Sequence, residues 1–585
     1  MDLTIKESAR KLPAIPDSWT RRLAQHEDRV FLVLTLLIGA VVGAVVVAFI
    51  VVTGNLGARM YPPGGSPWRR LLVPAAGSLV TGYLLSRYFP YARGSGIPQT
   101  KAALFAREGY IKFRTVLGKF FCCSVSLASG IALGREGPSV QVGGGIASVL
   151  GRRIGLGPER VKALIPVGAS AAIAAAFNTP IAGVLFALEE IMGDMNAPVL
   201  GSVVLSSATA WIVLHLLLGD EPLFHVPAYQ LLHGVEFAVY AVLGVFGGLV
   251  SVVFVKLLLG LRAWFLRRPK WTGWFQPVAG GLLVGIMGWF VPESLGIGYR
   301  YVGDALNGNM ALEAMALLLA MRVVGTAVCY ASGNAGGIFG PALFIGAMLG
   351  GTLGSVAHAA FPNHVASAGA YALVGMGTAF AGIVRTPMTS VIMIFEVTRD
   401  YSIIVPLMIS NLISFFISRR LQPEAIYEAL SRQDGIHLPS SGAHGERSNL
   451  RVVDAMRSEI GVIEPQATIQ EALNWIRSLA VNAWPVAHGK HLLGIVTASH
   501  LESASDEGAG CRTVSEILEP LPQGHLDAAN FPHVHPDHSL DLALQRMGDM
   551  HLDVLPVVGR ANVREILGVI TLPDVLRTYG ITGPV

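Results

Sequence analysis

Charge leaves this chain for long stretches at a time. No charged residue lies between Val30 and Thr53, and further uncharged blocks run over Leu71–Leu85, Phe120–Leu133, Val199–Leu218, Phe237–Val255, Pro277–Val291, Ala314–Met321 and Ile403–Ile417. The first is long enough for a helix that crosses a hydrocarbon core, which takes about 20 residues. Several others are short or broken by Gly and Pro, and irregular backbone survives in lipid only where protein or a water-filled cavity covers it. The pattern predicts a polytopic α-helical membrane protein with tilted and broken helices. From about Tyr427 the charges return, and "LPSSGAHGERSN" (Leu438 to Asn449) reads as a polar linker.

Beyond the linker the period changes. "VIEPQATIQEALNWI" leads to "AWPVAHGKHLLGIVTASHL", and "HVHPDHSLDLALQRM" leads to "VLPVVGRANVREILGVITLPDVL". Each half predicts an amphipathic helix, two short strands and a further helix start, so the C-terminal part is a duplicated α/β unit. It resembles a tandem pair of CBS domains, over 451–519 and 520–585 behind a linker at 432–450. The resemblance implies an adenine nucleotide as ligand, with Thr571 meeting phosphate and Asp574 the ribose hydroxyls in "GVITLPD". The first copy, "GIVTASH", keeps Thr497 but has His500 in place of that Asp.

Composition agrees with the membrane reading: 52% of the 585 residues are hydrophobic and 14% charged, against about 25% charged in ordinary soluble proteins. The first apolar block is too long for a secretory signal and follows a mixed-charge segment with Arg21, Arg22 and Arg29. That segment and the basic run Arg262, Arg267, Arg268, Lys270 predict cytoplasmic loops. A net charge of +4 is too small to imply nucleic acid, and four cysteines without CxxC spacing indicate neither zinc nor a disulfide framework.

The membrane part, 1–431, is itself duplicated. GREGPSVQVGGGIASVLG (Gly134 to Gly151) and GIFGPALFIGAMLGGTLG (Gly337 to Gly354) share Pro four places after the first Gly, and Gly at nine and seventeen. Downstream, NTPIAGVLFALEE and RTPMTSVIMIFEV share Thr-Pro and a Glu nine residues after the Pro, Glu189 and Glu396. Paired, Gly/Pro-interrupted segments in two repeats mark a transport site. A Gly-rich break before an apolar helix offers free N–H groups and a positive dipole end to an anion. GREGP, GIFGP and "ARGSGIPQT", with Ser95 between two glycines, are three such starts. Glu136 stands where that anion would bind, and a carboxylate at membrane depth faces a pathway and can carry protons.

In order along the chain, GSGIP, GREGP, GGIFGP and AIYEAL resemble the motifs of the CLC family of chloride channels and chloride/proton exchangers. The resemblance implies inverted repeats and a homodimer with one pore per subunit. It implies that Ser95, the amides of Ile338 and Phe339, and the Tyr427 hydroxyl hold chloride, that Glu136 is the external gate, and that Glu190 is the internal proton glutamate. Glu189 is the alternative proton group, and the two adjacent carboxylates can share a proton and titrate as a pair. Arg135 and Glu396 are expected to be structural. The intact GSGIP disfavours a fluoride-selective relative.

Exchange of chloride for protons across a plasma membrane, with the CBS pair cytoplasmic, is therefore the leading function; a passive gated chloride channel is the alternative. An enzyme is disfavoured, since the apolar part has no HExxH, no GxSxG and no His-Cys pairing.

Overall fold

The structure is a computed structural model that describes residues 27–195, 199–220, 223–224, 226, 233–362, 364–436, 450–458, 461–506, 511–518, 521, 531–560 and 562–579. The N-terminal stretch with Arg21 and Arg22 and the linker from Leu438 to Asn449 lie outside the described residues. The chain divides into two compact units, Met1–Leu438 and Pro439–Val585.

The first unit is all helical: α1 (Glu27–Met60), α2 (Trp68–Arg87), α3 (Ile97–Ala106), α4 (Phe113–Ala128), α5 (Glu136–Arg153), α6 (Pro158–Phe177), α7 (Pro180–Phe186), α8 (Leu200–Leu218), α9 (Glu236–Leu266), α10 (Pro277–Phe290), α11 (Tyr299–Leu306), α12 (Leu312–Ser332), α13 (Phe339–Ala360), α14 (Ala368–Val384), α15 (Pro387–Thr398), α16 (Ile404–Leu421) and α17 (Ile426–Gln433). A π-helical segment, Ala187–Met192, prolongs α7. Seven helical spans among the described residues are long and apolar enough to cross a membrane. Their burial is inverted relative to a soluble protein. The Gly- and Ala-rich helices α5, α6, α13 and α14 are enclosed, whereas Leu216, Val253 and Phe416 of α8, α9 and α16 stand exposed, as lipid-facing residues do.

The duplicated motifs fold alike, for identifiable reasons. Helix α6 ends on Asn178 and α14 on Arg385, both left-handed at φ 62° and 70°. The next residue, Thr179 or Thr386, is extended because a following proline excludes the helical region. Pro180 and Pro387 then open α7 and α15 at the first position, where no N–H is needed. The glycines shared at the ninth place serve close crossings: a Cβ on Gly143 would lie 2.2 Å from the Gly168 carbonyl, and one on Gly346 2.2 Å from that of Gly375. Such contacts let α5 cross α6, and α13 cross α14, backbone to backbone.

The second unit is also a repeat. Helix α18 (Ile469–Ser478) precedes the antiparallel pair β1 (Ala483–His488) and β2 (His491–Thr497), followed by α19 (Ala498–Ala504). Helix α20 (Leu540–Met550) precedes β3 (Val554–Val558) and β4 (Ile566–Thr571), followed by α21 (Leu572–Thr578). Both hairpins carry a bulge at the equivalent place, Val486/Ala487 and Val557/Val558.

Candidate functional site

The starts of α5 and α13 meet head on. Gly134 and Gly337 exchange two backbone hydrogen bonds of 2.7 Å in an antiparallel bridge, as residues related by a two-fold axis do. Just beyond it Glu136, at the first position of α5, is wholly buried. Its carboxylate does not serve its own helix. Oε2 accepts from the Gly340 N–H of α13 at 3.2 Å, one of the first-turn amides that have no partner within a helix. Tyr299, at the start of α11, donates its hydroxyl to Oε1. Arg135 Nε lies 4.0 Å from Oε1, and its guanidinium sits over the Tyr299 ring. An anionic oxygen of one repeat thus occupies the positive end of a helix of the other. Ile338 and Phe339, at that same helix start, are fully buried, with the Phe339 ring packed on Phe177, Phe186 and Phe380.

Ser95 lies in a tight loop between Gly94 and Gly96, whose φ values of 91° and 107° a residue with a Cβ rarely adopts. Lys119 Nζ fastens this loop by donating to the carbonyls of Ala92 (3.0 Å) and Gly94 (2.6 Å). The Gly96 N–H is capped by Gln99 Oε1 and the Ser95 N–H donates to the Tyr330 hydroxyl. The Ser95 hydroxyl itself is buried and unpartnered among the described residues, as is that of Tyr427 in the first turn of α17. Gly96 rather than Ser95 stands at the helix N-cap, and the Tyr427 side chain is enclosed. A methyl on Gly137 would lie 2.6 Å from the Ser95 carbonyl and 3.5 Å from the Gly337 Cα, so the three Gly-rich starts adjoin. Leaving a buried hydroxyl unsatisfied costs about 1–3 kcal/mol, and a bound anion would relieve both. Beside Gly94 and Tyr330 opens a cavity of about 620 Å3 whose lining includes Arg93, Lys112, Arg262 and Arg268.

The paired glutamates separate. Glu189 accepts from the Met388 N–H (3.2 Å), the Thr389 N–H (2.8 Å) and the Thr389 hydroxyl (2.7 Å), capping α15. Glu396 reciprocates, accepting from Ile181 and Ala182 at the start of α7 at 2.9 and 2.7 Å. Glu190 turns elsewhere, with Oε1 2.8 Å from Lys101 Nζ of α3. The two adjacent carboxylates thus take different partners, a helix start for Glu189 and an ammonium for Glu190.

Sequence reasoning missed Lys101 and Tyr299. A lone cation one turn into the GSGIP helix was a readable signal for the first; no spacing marks the second.

In the C-terminal unit, Thr571 caps α21 by accepting from the Asp574 N–H and donates its own hydroxyl to Asp574 Oδ2 at 2.6 Å. Thr497 caps α19 in the same way. Both Asp574 oxygens also receive Arg457, through Nε and Nη2 at 2.8 Å each. Burial raises this carboxyl, but the bonds from Arg457 and Thr571, with Arg577 nearby, bring it below its ordinary range. The oxygens expected for ribose thus already hold a guanidinium.

Known proteins share this architecture. The family model for voltage gated chloride channels matches residues 77–419, and that for the CBS domain matches residues 525–580. A ClcB-like chloride channel protein of Ralstonia nicotianae is 32% identical over 383 residues, 64% of this chain and 89% of that protein. The H(+)/Cl(-) exchange transporter ClcA of Vibrio campbellii is 32% identical over 366 residues, 62% of this chain and 78% of its own. The crystal structure of a slow cyanobacterial Cl-/H+ antiporter aligns with a TM-score of 0.65 at 26% identity, covering 69% of this chain and 97% of that one. With more than half its length matched and the motif order intact, the chain belongs to the voltage gated chloride channel family, a multi-pass membrane protein with a C-terminal CBS domain.

Proposed function

We propose that the protein is a chloride/proton antiporter of the plasma membrane, acting as a homodimer with one pore per subunit. The transport domain comprises residues 1–431; a linker over 432–450 leads to cytoplasmic CBS domains at 451–519 and 520–585, which take an adenine nucleotide at Thr571 and Asp574. The relatives named as exchangers support the reaction, and none of its steps calls for an enzymatic group.

One observation carries the reading: the Glu136 carboxylate, enclosed, accepts a hydrogen bond from the α13 start in the position of an anion. While ionised it competes with chloride for that helix end. A proton removes its charge, weakens its hold on the dipole and the Gly340 N–H, and frees the position for chloride. Chloride is then held by the Ile338 and Phe339 amides and, further along, by the Ser95 and Tyr427 hydroxyls. Glu190 passes protons from the inner side, since Ala174 to Leu188 offers no other side chain that changes charge.

In vesicles containing the purified chain, a chloride gradient should drive protons uphill. Glu136→Gln and Glu190→Gln should each stop proton movement while chloride still flows. Chloride flux in the wild type with no uphill proton movement would replace the antiporter by the gated channel.

A further inference from the structure

Lys101 and Glu190 are 2.8 Å apart and expose only 4% and 7% of their side chains; no other ion pair among the described residues is so enclosed on both sides. Such pairs add little net stability, because desolvation offsets the attraction. The location of this pair gives it a different use. Helix α3 begins two residues after Ser95 and packs against α5, which starts at Glu136, against α17, which carries Tyr427, and against the π-helical segment of Glu190. One short helix therefore touches the anion ligands, the gate and the inner proton group, and it carries the cation.

The other charges around Glu190 are few. Glu428 faces it from α17 and Glu189 from its own segment, where the α15 start occupies it. Helix α7 has no ionisable side chain, and those of α6, Glu159, Arg160 and Lys162, stand in its first two turns. Lys101 is the one cation among the described residues within ion-pair distance of Glu190.

We propose that Lys101 is a positioning residue that couples proton uptake at Glu190 to anion occupancy of the pathway, a role that rests on the antiporter reading. With Glu190 ionised the pair is neutral. A proton on Glu190 leaves an enclosed ammonium without its counter-charge, and the charge that can move in to replace the carboxylate is an anion in the pathway beside α3. Linkage makes the effect reciprocal: a proton at Glu190 tightens chloride binding, and bound chloride favours the proton. At Glu136 the carboxylate and chloride compete; at Lys101 proton and chloride assist each other. The two together tie a proton's passage to an anion's.

The test uses the full chain with Glu136→Gln, so that the gate no longer titrates, and measures chloride affinity by isothermal titration at about pH 5 and about pH 8. Chloride should bind about five-fold or more tighter at the lower pH, the range expected of site-to-site coupling. Adding Lys101→Met should abolish the difference and Lys101→Arg should keep it. The doubly neutral Lys101→Met/Glu190→Gln chain, which leaves no buried charge unpaired, should bind chloride equally at both pH values; it serves where Lys101→Met alone fails to fold. Chloride binding that stays pH-dependent without Lys101, or that is flat with Lys101 present, overturns the coupling alone. No chloride binding at either pH overturns the antiporter reading, and the coupling with it.

Discussion

At the scale of single residues, the strongest sequence signal is a charge where charge is expensive. Glu136, between uncharged runs and boxed by Gly and Pro, is legible without any structure, because a carboxylate at membrane depth must meet a partner or a pathway. Which partner it meets is not legible, since Gly340 and Tyr299 are brought to it from 204 and 163 residues away in sequence. Tyr299 is the second donor to the Glu136 carboxylate. A hydrogen bond to a charged group is worth about 1.5–3 kcal/mol, so Tyr299→Phe should loosen the seated carboxylate and raise chloride turnover by about tenfold, and by up to about a hundredfold where that loosening limits the rate. Proton coupling should persist, because Glu136 itself remains. Chloride flux per transporter in vesicles checks this; turnover unchanged or lowered in Tyr299→Phe would make the tyrosine a packing group only.

At the scale of elements, the pattern read correctly wherever local chemistry decides. Thr-Pro after a left-handed residue ends one helix and opens the next in both halves, and the ninth-place glycines mark both close crossings. It read incompletely where a long-range partner decides. "GVITLPD" announces a carboxylate ready for ribose hydroxyls, yet Arg457, 117 residues earlier, holds it in a two-pronged pair. A nucleotide that uses Asp574 must displace that guanidinium. Arg457→Ala should therefore tighten adenine-nucleotide binding to the full chain several-fold, while Asp574→Ala should abolish it. Calorimetry in which neither the wild type nor Arg457→Ala binds nucleotide would leave the Asp574–Arg457 pair as a purely structural clasp.

At the scale of the whole transport unit, the two halves are fastened by trading helix caps. Glu189 of the first repeat closes the start of α15 in the second, and Glu396 of the second closes the start of α7 in the first. The shared spacing of Glu after Thr-Pro foretold that both positions were equivalent, but a spacing within each half could not show that each serves the other half. This exchange separates two adjacent carboxylates by partner: Glu189 caps a helix of the other half, and Glu190 is left to pair with Lys101. A glutamine at either cap keeps one acceptor but loses the charge and turns an NH2 toward N–H donors. Glu189→Gln and Glu396→Gln should each lower stability by about 1–3 kcal/mol, seen as a lower melting temperature of the reconstituted protein. Since α7 and α15 pack against each other, loosening one cap slackens the other, and the double variant should lose less than the sum of the two. Uphill proton movement should survive in all three. Glu189→Gln that stops proton movement while melting like the wild type would reverse the assignment, making Glu189 the proton carrier and Glu190 the partner of a structural lysine.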